Sequence, residues 1–164
     1  MVALAVLAIL LGLGVPSFYN SMQNNRSTAL ANELVTAANL ARSEAIKRGA
    51  CVDLCASTDG QTCGGNWTDG WIVRLTADNH VLRIWESPRD GAVILLDGKT
   101  GGGLRFAPLG DRAVFDANNP ATCGTRANDR ARITSHFVNC QGRQAREIDI
   151  TVSGRISVNR VNCP

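Results

Sequence analysis

The chain has 164 residues, of which 45% are hydrophobic and 19% charged. That length argues for one domain rather than several. Its 17 basic and 14 acidic side chains nearly cancel, so any argument from charge has to rest on local distribution.

Residues 1–15, MVALAVLAILLGLGV, carry no charge and no strongly polar side chain. Pro16 follows, and the pattern then becomes amphipathic. Leu30, Leu34, Ala37, Ala38, Ala41 and Ala45 recur at i, i+4, i+7 spacing on one helical face. Alanine dominates that stripe, so whatever packs on it comes close. Lys47, Arg48 and Gly49 make a C-terminal signature, with positive charge near the negative end of the dipole and then glycine. Read as one helix, residues 1–49 would be ~70 Å long. About 115 residues remain, enough for one small core, so one end of the helix must project.

Fifteen apolar residues fall short of the ~20 needed for a membrane span. No Lys or Arg precedes the run, the first basic residue being Arg26, which is unlike the basic start of a secretory signal. The run therefore reads as the remainder of a longer apolar segment that serves as a retained membrane and assembly helix. A signal peptide with a misplaced start is the alternative.

After the helix come short strand patterns separated by turns. Residues 50–56, 70–75, 81–86, 92–96, 104–107, 133–139, 147–152 and 156–161 read as strands, and residues 76–80 as a hairpin turn. Residues 99–103 read as a loop, and residues 117–128 are too polar and turn-rich for an element. A long helix followed by short antiparallel strands gives an α+β fold.

Six cysteines beside a membrane-type N-terminus suggest an oxidising compartment and allow fifteen pairings. Cys55 and Cys63 flank the turn-rich STDGQT and would close a short loop. Cys140 and Cys163 fall on two late strands, and a bridge there would stop the terminus fraying. Cys51 and Cys123 remain as a third pair. The rival reading is a zinc site drawn from Cys51, Cys55, Cys63 and His80, but C-x3-C and C-x7-C are not the close knuckles of structural zinc.

The residues also carry a family resemblance. Residues 1–18 resemble the N-terminal segment of type IV pilins and pseudopilins, beginning just after the family's Gly-Phe-Thr-Leu-Ile-Glu-Leu motif. Gly12, Gly14 and Pro16 match its helix-loosening positions. Asn24, Asn25, Arg26 and the run ARSEAIKR at 41–48 resemble the GspH/FimT-type minor pilins in particular. So do Asp69-Gly70-Trp71-Ile72-Val73, Leu104-Arg105-Phe106 with Pro108 and Gly110, Phe137-Val138-Asn139-Cys140, and Ser153-Gly154-Arg155-Ile156. The family's cleavage glycine, N-terminal phenylalanine and assembly glutamate do not occur, so its processing chemistry is carried onto no residue here. The resemblance implies the pilin fold, with the C-terminal half of the helix docked on an antiparallel sheet. Residues 1–22 would be the membrane or filament-core half. Residues 23–164 would be the globular domain, with helix 23–48 and sheet 50–164.

Catalytic constellations are thin. The two histidines, His80 and His136, sit in no nucleophile motif. Gly101-Gly102-Gly103 lacks the Lys-Ser/Thr of a P-loop. Trp67, Trp71 and Trp85 would serve either for stacking on a sugar or base, or for packing. No enzyme activity, cofactor, metal or small-molecule substrate is expected.

From residue 101 onward there are nine arginines, five acids and no lysine. Arg143, Arg146, Arg155 and Arg160 fall in the last part of the chain, where adjacent strands would gather them on one positive edge able to bind phosphates without reading bases. FimT-type pilins that take up DNA carry a C-terminal Gly-Arg-x-Arg-x-Arg motif. Gly154-Arg155-Ile156 begins it, but Ser157 and Asn159 stand where two more arginines would, and Arg160 is out of phase.

The expectation is a structural minor pilin that primes, and enters, a type IV pilus near its tip, held meanwhile in the bacterial inner membrane with a periplasmic domain. Its partners would be other minor pilins, the major pilin and the inner membrane. Leu4, Val6, Leu7, Ile9 and Leu10 would carry helix packing, and Gly12, Gly14 and Pro16 would let the helix bend. The alternatives are a DNA-binding pilin of natural transformation and a minor pseudopilin of a type II secretion system.

Overall fold

The computed structural model describes residues 2–97, 100, 102–117 and 123–164, with side chains from residue 20 onward. The side chains of Leu4, Val6, Leu7, Ile9, Leu10 and Pro16, the residues expected to pack or bend the helix together with Gly12 and Gly14, lie outside the described residues. Helix α1 spans Val2–Arg48 as one element. It ends in a Schellman arrangement: Ala50 N donates to Ala45 O, Gly49 N to Ile46 O, and Gly49 adopts φ +62°. This is the backbone conformation that the Lys47-Arg48-Gly49 signature anticipates.

The expected stripe is the buried face. Leu30, Ala31, Leu34, Ala37, Ala38, Ala41 and Ala45 all join the core. The small alanines let α1 lie close against two sheets rather than one. The first sheet has the order β3-β2-β1-β5-β6 and the second β4-β7-β8-β9. Its strands are β1 (Val52–Ala56), β2 (Gly70–Leu75), β3 (Val81–Glu86), β5 (Gly103–Phe106) and β6 (Arg112–Ala113). The second contains β4 (Ala92–Leu96), β7 (Ala131–Phe137), β8 (Ala145–Ile150) and β9 (Ile156–Val161). All pairings are antiparallel. The helix contacts strands of both sheets, and Val52, Leu54, Trp71, Phe106, Ile133, Ile148 and Ile150 pack with it.

Three sequence expectations need correction. The strand read at 133–139 is β7, which begins at Ala131, because Ala131, Ile133 and Phe137 are in phase on the buried side. It stops at Phe137, and Asn139 turns the chain with φ +65°. The strand read at 147–152 is β8, which begins at Ala145 and stops at Ile150: Arg146, Ile148 and Ile150 are buried in one phase, Ala145 is buried as well, and the chain turns from Thr151. The two-residue β6 has too short a pattern to be seen in sequence; it is held by pairing with β5 and by the isolated bridge Ala113–Arg126.

Strand β1 is buried along its whole length. Val52, Leu54 and Ala56 belong to the helix-facing core. Cys55 joins Ile72 and Phe115 in a second, smaller cluster on the other side. Asp53 shares that outer side, and the registers place it opposite Arg74 on β2 and Arg105 on β5.

Candidate functional site

Three disulfides tie the body together. Cys55 joins Cys63 across the 57–62 turn, Cys140 joins Cys163, and Cys51 joins Cys123, with Cα separations of 5.5, 5.8 and 5.5 Å. Cys140 and Cys163 lie just beyond the ends of β7 and β9 rather than on strands. Cys51, Cys55 and Cys63 are thus held as disulfide sulfurs and supply no thiolate to zinc. Among the described residues no cluster of three metal-ligating side chains occurs.

The loop at the first disulfide is organised by Asp59. Its carboxylate accepts from Gln61 N and Thr62 N, both at 2.8 Å, and from the hydroxyls of Thr62 and Ser57. These donors, the Thr62 and Gln61 amides first, hold the Asp59 carboxyl far below its ordinary value.

Arg146 sits in the helix-facing phase of β8. It is buried, and its guanidinium donates to Asn24 Oδ1 at 2.7 Å and Thr28 Oγ1 at 3.0 Å. The other terminal nitrogen donates to the carbonyls of Arg143, Gln144 and Ala145. Arg146 is therefore a latch between β8 and the helix near residue 24. Burial, and secondarily the charge of Arg160, lowers its pKa. The other three C-terminal arginines are exposed. Arg143 donates to the Arg160 carbonyl, so these two lie at one end of the β8–β9 pair. Arg155 precedes β9 at the opposite end, about 17 Å along the strand from Arg160 at ~3.3 Å per residue. The structure does not gather the four on one edge.

A second latch holds the far end of the helix. Arg42 Nε donates to Gly110 O at 3.0 Å and Arg42 Nη2 to Ser153 O at 3.4 Å. One helical arginine thus grips the turn after β5 and the turn between β8 and β9.

An open groove of about 810 Å³ lies beside α1. Met22, Arg26 and Leu30 form its helical wall, Arg83 and Trp85 of β3 the opposite one, and Phe137 also contributes. The Trp85 ring is stacked against Trp71 with centroids 6.4 Å apart, and the Arg83 guanidinium lies 4.8 Å from the Trp85 centroid. Trp67 lies 6.4 Å from Trp71. The three tryptophans form one packed row, using ring faces for each other and for Arg83. Among the described residues no helix is long and apolar enough to cross a membrane.

The architecture can be compared with known proteins. The family model described as "Type II transport protein GspH" matches residues 30–154, about three quarters of the chain. The chain belongs to the GspH family. The match begins at Leu30, a deeply buried leucine of α1, and ends at Gly154, in the turn that Arg42 grips. The fold of this GspH-family chain is also that of the type IV minor pilin FimU of Pseudomonas aeruginosa. One crystal form of FimU is 20% identical, with a TM-score of 0.60 over 82% of this chain and 89% of that one. A second form gives 18% and 0.55 over 80% and 91%. The minor pseudopilin EpsH from the type 2 secretion system of Vibrio cholerae is 10% identical, with a TM-score of 0.52 over 82% and 97%. No curated protein matches the chain in sequence. The chain thus combines membership of the GspH family with the α+β pilin fold.

Sequence reasoning missed Arg42, the Asp53 network and the groove. Asp53 and Arg105 had a visible signal, since each is an ionic residue inside a strand of otherwise buried type. Arg42 and the groove had none, because their partners lie on distant segments.

Proposed function

We propose that the chain is a minor pilin that primes assembly of a type IV pilus, is incorporated into it, and stands near its tip. The observation that carries this reading is the division of α1. Among the described side chains its buried residues run from Gln23 to Ala45, about 33 Å of a ~70 Å helix at ~1.5 Å per residue. A helix much longer than the body it serves is suited to packing with helices of neighbouring subunits, while the two latches keep the sheets fixed to its C-terminal half. In this reading the apolar residues 1–15 hold the subunit in the inner membrane before assembly. The globular body then contacts other minor pilins and the major pilin.

The family match and the EpsH-like fold favour one second reading, a minor pseudopilin of a type II secretion system. One experiment separates the two. The gene is deleted in its own host and restored with the full chain, and surface pili and secreted proteins are both measured. Loss of pili with normal secretion supports the pilus reading. Loss of secretion with normal pili transfers the protein to the secretion system. No change in either rejects both.

A further inference from the structure

The groove beside α1 has an uncommon wall. Strand β3 is the last strand of its sheet, and among the described residues no strand pairs with its outer edge. An unpaired edge offers a row of backbone donors and acceptors and is normally blunted or covered. Here the edge instead borders about 810 Å³ of open space walled opposite by α1. An extended peptide entering such a space gains main-chain hydrogen bonds from the edge and side-chain contacts from the walls. Met22 and Ile84, both exposed, together with Leu30, Trp85 and Phe137, give it apolar surface.

The charges narrow the occupant. Arg26 on α1, Arg83 on β3 and Arg89 just beyond it line the groove, as do Glu33 and Glu86. Among the described residues none of these five forms an ion pair. The excess is positive, and Arg26 and Arg83 stand on opposite walls, so positive charge faces the groove from both sides. The two glutamates disfavour a polyphosphate backbone, which would bring repeated negative charge past them.

We propose that this groove receives an extended segment of a neighbouring pilin-like subunit, carrying at least one carboxylate and added beside β3 as a sixth strand of the first sheet. The inference rests on the assembly reading above and names where that assembly is made.

The test uses the full chain produced in its own host, with p-benzoylphenylalanine at Met22 in the groove or at Leu109, an exposed position on the turn after β5. After illumination the joined peptides are sequenced. The expected product at Met22 is a segment of another pilin-like subunit that contains Asp or Glu within an alternating apolar pattern. Its yield should fall at least ten-fold in the combined R26E, R83E and R89E variant. Changing the acids of the captured segment to Lys should restore it. Capture of a helical segment, or an unchanged yield in the triple variant, overturns the proposal. Capture of pilin-like subunits at Leu109 but none at Met22 also overturns it while leaving the assembly reading intact. No pilin-like subunit at either position rejects both.

Discussion

Gly154 lies directly against Gly110. Gly154 has φ +77°, and a Cβ built on it would overlap the Gly110 carbonyl oxygen, the same oxygen that accepts from Arg42 Nε. Both the backbone conformation and the space therefore require glycine. Gly154→Ala should cost at least about 2 kcal/mol, since the left-handed strain alone is ~1–2 kcal/mol and the Gly110 backbone cannot give way cheaply. Gly142→Ala, with φ +57° and nothing within 4 Å, should cost only the strain. Urea unfolding of the two variants checks the difference.

Arg146 ties β8 to α1. Arg146→Ala removes the donors to Asn24 and Thr28 and should cost about 1.5–3 kcal/mol, the range for hydrogen bonds to a charged group. Hydrogen exchange should quicken around residues 24–28 before it changes in β1. A variant that loses DNA binding while keeping full stability would contradict the latch.

Asp53 and Arg105 form a fully buried pair. Arg105 Nε and Nη2 donate to the two Asp53 oxygens at 2.6 and 3.0 Å, and Arg74 stands 3.8 Å away on the other side. Removing one partner from a buried pair typically costs about 3–5 kcal/mol, because the other charge is left uncompensated. Asp53→Leu alone should fall in that range. Asp53→Leu with Arg105→Met should be less damaging than the sum of the two single changes. A double-mutant cycle measures the coupling.

The disulfides should differ by loop length. Sequence separations of 8, 23 and 72 correspond to about 2.5, 3.4 and 4.4 kcal/mol in the chain-entropy account. Replacing Cys51 and Cys123 together by Ala should therefore lower stability most, and Cys55 with Cys63 least. Thermal unfolding of the three double variants, with mass spectrometry under non-reducing conditions, tests the order.

Asp59 sets a pH dependence. Its pKa is lowered in the folded chain, so the stability it contributes is present above the ordinary Asp value of about 3.9 and is lost as pH falls from there through the folded value. Glu44, lowered chiefly by its hydrogen bond from Arg48, follows the same sign with a smaller, solvent-screened effect. The Gln61 and Thr62 amides should stay protected at pH 4 and loosen only well below it. Asp59→Asn should remove that dependence, as read by amide exchange.

The elements whose signal is local were legible in the residues alone. The alanine stripe, the Lys47-Arg48-Gly49 terminus and the short alternating runs gave the helix and eight of the nine strands found among the described residues, to within a few positions. Each of these depends on periodicity or on a turn residue within its own segment. Whatever depends on distant partners came only with the folded chain. Folding split the strands into two sheets around one helix. It placed Arg146 inward against Asn24, where composition alone suggested an outward cluster with Arg143, Arg155 and Arg160. It also set Asp53 between Arg74 and Arg105, Gly154 against Gly110, and the free edge of β3 beside α1. A charged side chain looks the same in sequence whether it faces water or a buried partner. Only the register of strands and the path of the helix settle which, because desolvating a charge is tolerated where its counter-charge or hydrogen-bond partners are already in place.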